Sequence, residues 1–340
     1  MSRIRCFVVA QKGRLPNLDT LDETLAAWRG GRIVWIDLEK PERADLDALA
    51  EPLGLHPLAI EDCLDEDQVP KIEAYTTHTF LIFNSFRYAE GYLEVHEIDA
   101  FVGKGFLLTV HRGPGTDVGL MDSAAAEHAC LEKGADFLLH AVMDHVVDRK
   151  LGAIEGIQDE IDLVEDRILG DIATFQPQDL LRLRRSLLAL RKSLFHEREI
   201  LVRICRGDSP WIGERAVVHF RDVYDHLARY FEVTEIGREM IANLMEIYLS
   251  MLNNRMAALA NRTNRVMRRL TVIMTVFMPL TLLAGICGMS EWTMMTGGPD
   301  HWRLAYPAFL LGMGAIGFAT YRLLGWIDRR ADPAGESSGA

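Results

Sequence analysis

The sequence predicts a mixed α/β region, then a very long helix, then two transmembrane helices. Three observations predict it. Leu270 to Ser290 is 21 residues without a charge, and Leu304 to Tyr321 is 18 more, continued past Arg322 by Leu323 to Ile327. About 20 apolar residues span a bilayer's hydrocarbon core. From Glu214 to Gly288 only Gly237, Pro279 and Gly285 interrupt an otherwise helical run. Residues 1–135 instead hold short runs of β-branched and aromatic residues between turn signals.

In chain order, strands are expected at Cys6–Ala10, Ile33–Leu38, Thr79–Tyr88, Val95–Val102 and Phe106–His111, with Gly103-Lys104-Gly105 as a hairpin turn between the last two. Leu46–Leu53 and Asp117–Glu132 read as helices. Residues 136–213 form a helical hairpin: one helix runs from Ala135 and stops on Gly170, a suitable C-cap, and a second spans Gln178–Arg206. A stalk helix follows at 214–269, then a first membrane helix at 270–290, an external loop at 291–303, a second membrane helix at 304–327, and a cytoplasmic tail at 328–340. Stalk and first span together would measure on the order of 110 Å. A helix that long needs symmetry-related copies to pack against.

Charge decides orientation. Arg255, Arg262, Arg265, Arg268 and Arg269 precede the first span with no acid among them, and Arg329 and Arg330 follow the second. The loop between carries Glu291 and Asp300. Basic residues stay inside, so both termini are expected in the cytoplasm of an inner (plasma) membrane. The formal charge of -12 argues against nucleic acid as a partner. Five scattered cysteines without a CxxC spacing read as reduced thiols. The first ten residues do not read as a signal peptide. No G-x-G-x-x-G, Walker A loop or H-E-x-x-H occurs, so no enzyme constellation stands behind the chain.

Candidate functional residues lie on the first membrane helix. Asn264, Met267, Thr271, Met274, Met278, Thr281, Gly285 and Gly288 recur at steps of three and four. Lipid gives no reason to gather polar, flexible and small residues on one line; an oligomeric pore does, and a helix-packing seam is the alternative. Val272, Val276, Leu280 and Leu283 suit lipid or the second helix, whose own small stripe is Ala308, Gly312, Ala315 and Ala319. Met267, Met274 and Met278 suit a flexible apolar gate better than a soft-metal site. In the helical hairpin, His140, Asp144 and Asp148 at i, i+4, i+8, beside His145, form either a regulatory metal site or a salt-bridged face. Asp62, Asp65, Glu66 and Asp67 make an acidic cluster of the same ambiguity.

The segment LTVIMTVFMPLTLLAGICGMS resembles the first membrane helix of the CorA metal-ion transporter superfamily, whose signature is Gly-Met-Asn at the outer end. NRVMRRLT and YLSMLNNRM look like that family's stalk, and LGLHPLAIEDCLDEDQVPKIEAY like its cytoplasmic His-Pro-Leu segment. The detail looks closer to the ZntB-like branch, CmaX-type proteins included. The resemblance implies an α+β cytoplasmic funnel with α/β/α layering, a homopentamer, and a central pore for divalent cations of the zinc or magnesium class, with no permanently bound cofactor. Carried over, the pore-lining positions are Asn264, Met267, Leu270, Met274, Met278 and Thr281, with Gly288, Met289 and Ser290 at the mouth. Ser290 replaces the signature asparagine, whose amide ring suits a hydrated magnesium ion because magnesium sheds water reluctantly.

Overall fold

The computed structural model describes residues 3–9, 16–65, 68–112, 133–170, 172, 175–287 and 302–331. It comprises two compact units, Met1–Leu249 and Ser250–Ala340.

The first unit is built on a seven-stranded sheet. Its strands are β1 (Arg3–Val8), β2 (Asn17–Leu18), β3 (Val34–Glu39), β4 (Ile72–Ala74), β5 (His78–Ala89), β6 (Tyr92–Gly103) and β7 (Phe106–His111), in the order β2-β1-β3-β7-β6-β5-β4. All neighbours are antiparallel except β3 and β7. Two tight turns set the register of the central hairpins. Glu90 and Gly91 both have positive φ, 53° and 79°, as a two-residue turn matched to strand twist requires. Gly105, at φ 76°, closes the β6–β7 turn expected at Gly103-Lys104-Gly105.

Alternation along the strands sorts two faces. Val34, Ile36, Leu38, Phe80, Phe101 and Leu108 form one core with Leu46, Leu49 and Ile60, under α1 (Leu21–Arg29), α2 (Arg43–Leu53) and α3 (Pro57–Leu64). The long helix α4 (Ala135–Gly170) packs on the sheet too, chiefly along β5, and α5 (Pro177–Cys205) runs beside it. The result is the helix–sheet–helix layering expected of the sequence.

Two buried carboxylates tie the unit together. Asp37 on β3 accepts from Thr109 Oγ1 at 2.6 Å and pairs with Arg5 at 3.1 Å. Lys150 of α4 pairs with Glu197 of α5, both fully or nearly fully buried. Glu197 also accepts the Asn84 backbone N–H of β5 at 2.9 Å, so three elements meet on one carboxylate.

Most expected elements fall where the sequence placed them. Phe106–His111 and Ala135–Gly170 coincide with β7 and α4, and Gln178–Arg206 shifts by one residue to Pro177–Cys205. β1 begins at Arg3, ahead of the expected Cys6. Helices α1 and α3 and strands β2 and β4 are additional. The helix expected at Asp117–Glu132 lies outside the described residues.

The helix α6 runs unbroken from Glu214 to Cys287 with Pro279 inside it, and α7 spans Trp302–Ala331. Both contain a stretch long and apolar enough to cross a membrane, with mean hydropathy of 1.8 and 1.4.

Candidate pore helix and cation cluster

Within the second unit, the C-terminal part of α6 has two distinct sides. Val272, Val276, Pro279, Leu280 and Leu283 are half-buried, while Thr271, Met274, Met278 and Thr281 are exposed, Met278 to 76%; ahead of them Asn264, Met267 and Leu270 are exposed along with every residue from Asn253 to Thr271. α7 answers with half-buried Phe309, Met313, Gly317, Thr320 and Leu324. A Cβ on Gly317 would lie 3.5 Å from Leu280 Cδ1, an ordinary van der Waals distance, so the two helices approach each other here. Of the two neighbours the sequence left open for this apolar face, lipid or the second helix, the second helix half-covers it. The stripe Ala308, Gly312, Ala315 and Ala319 instead stays exposed, one step around from the contact line.

The hydroxyls on the exposed line are tied to the backbone. Thr271 Oγ1 donates to Met267 O at 2.9 Å, Thr275 Oγ1 to Thr271 O at 2.8 Å, and Thr281 Oγ1 to Phe277 O at 2.8 Å. Back-bonding of this kind leaves the oxygen lone pairs pointing away from the helix, able to accept from a water or meet a cation. Pro279 removes one backbone donor, and in a membrane the freed carbonyl must find water or a neighbouring helix. Gly288, Met289, Ser290, Glu291 and Asp300, the expected mouth and external acidic residues, lie outside the described residues.

In the first unit, Asp144 and Asp148 of α4 come together with His226 of α6. Their ligand atoms all lie within 4.8 Å of one another, and His226 Nδ1 is 3.7 Å from Asp148 Oδ1. Partial burial, and then the neighbouring Asp144 carboxylate, raise the Asp148 pKa, an effect that His226 and His145 oppose. A divalent cation would reverse that repulsion.

Two members of the sequence-derived set fall elsewhere. His140 is buried against the His219 ring, 5.3 Å between centroids, and edge-on to Phe220. His145 is half-buried beside the group rather than in it. A spacing of i, i+4, i+8 drifts about 40° per step around an α-helix, so three such residues cannot share one point. The third ligand comes from a helix far along the chain, which spacing on α4 alone could not reveal. Of the acidic cluster, Asp62 pairs with Lys71 Nζ at 2.7 Å, and Glu66 and Asp67 lie outside the described residues.

Comparison with known proteins bears on the whole arrangement. Residues 30–329 match the family model described as CorA-like Mg2+ transporter protein. The chain is 33% identical over 292 residues to the cobalt/magnesium transport protein CorA of Thermotoga maritima, covering 83% of this chain and 79% of that one. It is 26% identical over 196 residues, 57% of each chain, to the divalent cation transporter CmaX of Pseudomonas aeruginosa. The complete structure of the CorA magnesium transporter from Methanocaldococcus jannaschii superposes with a TM-score of 0.70 at 21% identity, over 97% of this chain and 98% of that one, a likeness of fold. Identity to the protein named CorA exceeds that to CmaX, so these likenesses support the family as a whole and not a ZntB-like branch in particular. With its α/β unit, long stalk helix and two membrane-length helices, the chain belongs to the CorA family.

Proposed function

We propose that the protein conducts divalent cations across a membrane through the centre of a homopentamer, with α6 lining the path. The observation that carries this reading is the two-sided α6: one side packs on α7, and the other shows Asn264, Met267, Thr271, Met274, Met278 and Thr281 uncovered. Its relatives' names, cobalt/magnesium transport protein and divalent cation transporter, favour magnesium or cobalt as cargo and leave zinc as the second candidate. Met274 and Met278 act as a dry constriction, Asn264 and the threonines as water-replacing acceptors, and Gly288-Met289-Ser290 as the outer mouth, with Glu291 and Asp300 concentrating cations there. Both termini face the cytoplasm of the inner (plasma) membrane. Asp144, Asp148 and His226 hold a regulatory cation inside the cell.

Mass measurement of the detergent-solubilised protein tests the assembly: five subunits support it, and a stable monomer refutes it. Gly288→Val should abolish uptake while the protein still inserts, because a Cβ would crowd the axis. A second reading, a membrane-anchored metal sensor with little transport, is favoured by Ser290 alone, which shortens the ring that would recognise hydrated cations. Absence of flux with intact metal binding would select it.

A further inference from the structure

From Ser250 to Cys287, α6 contains no Asp or Glu, yet it carries Arg255, Arg262, Arg265, Arg268 and Arg269. Three of these, Arg255, Arg262 and Arg269, recur every seventh residue and are exposed. Arg262 stands two residues from Asn264, and Arg269 two residues from both Met267 and Thr271. At about 100° per residue, two residues is roughly 200°, which puts this arginine line on the side of α6 opposite the proposed pore line. The same side continues into Val272, Val276, Leu280 and Leu283, which α7 half-covers. Beyond that cover the side turns from aliphatic to arginine. Trp326, Arg322, Arg329 and Arg330 lie toward the C-terminal end of α7, with Asp328 as the one acid.

We infer that Arg262 and Arg269, about 11 Å apart along α6 and next to the start of the first span, form a docking line for the phosphate headgroups of anionic phospholipids in the cytoplasmic leaflet. The inference rests on the reading of α6 and α7 as membrane spans. Charge complementarity carries it. The segment offers no carboxylate of its own, a guanidinium pairs two phosphate oxygens at once, and arginine stems reach along apolar surface to the headgroup level. An anionic leaflet attracts such residues by a factor of about five for each one near the surface. Because the line is on the helix proposed to bear the pore, headgroup binding acts directly on that helix, and cation flux depends on leaflet charge.

The test uses the full-length protein in mixed micelles of phosphatidylglycerol and phosphatidylcholine, with retained lipid read by native mass spectrometry. Preferential retention of phosphatidylglycerol is expected, unaffected by excess inorganic phosphate. The double variant Arg262→Gln, Arg269→Gln should lose that preference by at least about tenfold, and the corresponding Arg→Lys variant should keep most of it. Removing equal charge from α5, with Arg184→Gln and Arg185→Gln, should leave the preference unchanged. Equal loss from both glutamine variants would show a global charge effect and overturn the inference, as would no preference in the native protein. Failure of the membrane reading itself would appear separately, as protein that stays in the aqueous phase without detergent.

Discussion

His226 Nδ1 lies 3.7 Å from Asp148 Oδ1, joining the stalk helix to the first helix of the hairpin. With Asp144 beside them, the pair offers three ligands to one point. A cation bound there stabilises the folded state by mass action, about 2.7 kcal/mol at a hundredfold excess over its dissociation constant. Adding magnesium, cobalt or zinc to the full-length protein should raise its unfolding temperature by several degrees, as measured by differential scanning fluorimetry. Asp148→Asn and His226→Gln should each remove that rise. A rise that survives both changes would place the cation elsewhere.

Lys150 and Glu197 present the opposite case, a buried pair without a vacant coordination direction. Burial lowers the Lys150 pKa, and Glu197 alone counters it. Glu197→Gln should therefore cost roughly 3–5 kcal/mol in denaturant unfolding, because it leaves an uncompensated buried ammonium. Adding Lys150→Met should recover most of that loss, since the substituted amide would still accept the Asn84 N–H and no charge would remain. If the double variant is as unstable as the single one, the carboxylate itself holds β5 to the helices.

These two pairs mark where the sequence could be read and where it could not. β5, β6, β7, α4, α5 and α6 were legible because each repeats its pattern over many residues and ends on a plain signal, such as Gly105 or Gly170. α1 and α3 were not, because each is short and its start depends on one side chain: Thr20 accepting Glu23 N–H at 3.2 Å, and His56 accepting Leu58 N–H at 3.3 Å ahead of Pro57. The packing side of the first span followed from periodicity. The cation cluster was half visible, because two ligands share α4 while His226 sits on another helix. The small stripe on α7 is exposed in the single chain, and size alone does not say which neighbour a face meets.

His78 provides a pH signature. Burial, then the nearby His56, lower its pKa from 6.5 to about 4. The folded state thus favours the neutral ring, so its contribution is complete above pH 6.5 and is lost as pH falls toward about 4. Unfolding temperatures of native protein and His78→Gln should diverge above that window and converge within it. Parallel curves across the window would show that His78 titrates alike in both states.

If Ser290 rings the proposed outer mouth, Ser290→Asn should supply the family's amide ring and shift metal preference toward magnesium in competition assays, because magnesium is recognised through its waters. An unchanged order of metals would move selection to Asn264 or Thr281. Met278→Ser should wet the constriction and raise leak, measured as dye-reported flux. Unaltered flux in a folded protein would make Met278 a packing residue.

The central claim is that this chain moves divalent cations. Uptake of magnesium, cobalt, nickel and zinc by liposomes containing the purified protein, followed with a metal-sensitive dye under an inward gradient, tests it most directly. Saturable uptake of magnesium and cobalt above protein-free liposomes, abolished by Gly288→Val, is the expected result. No uptake of any of these metals under any gradient, by protein that is inserted and folded, would contradict it.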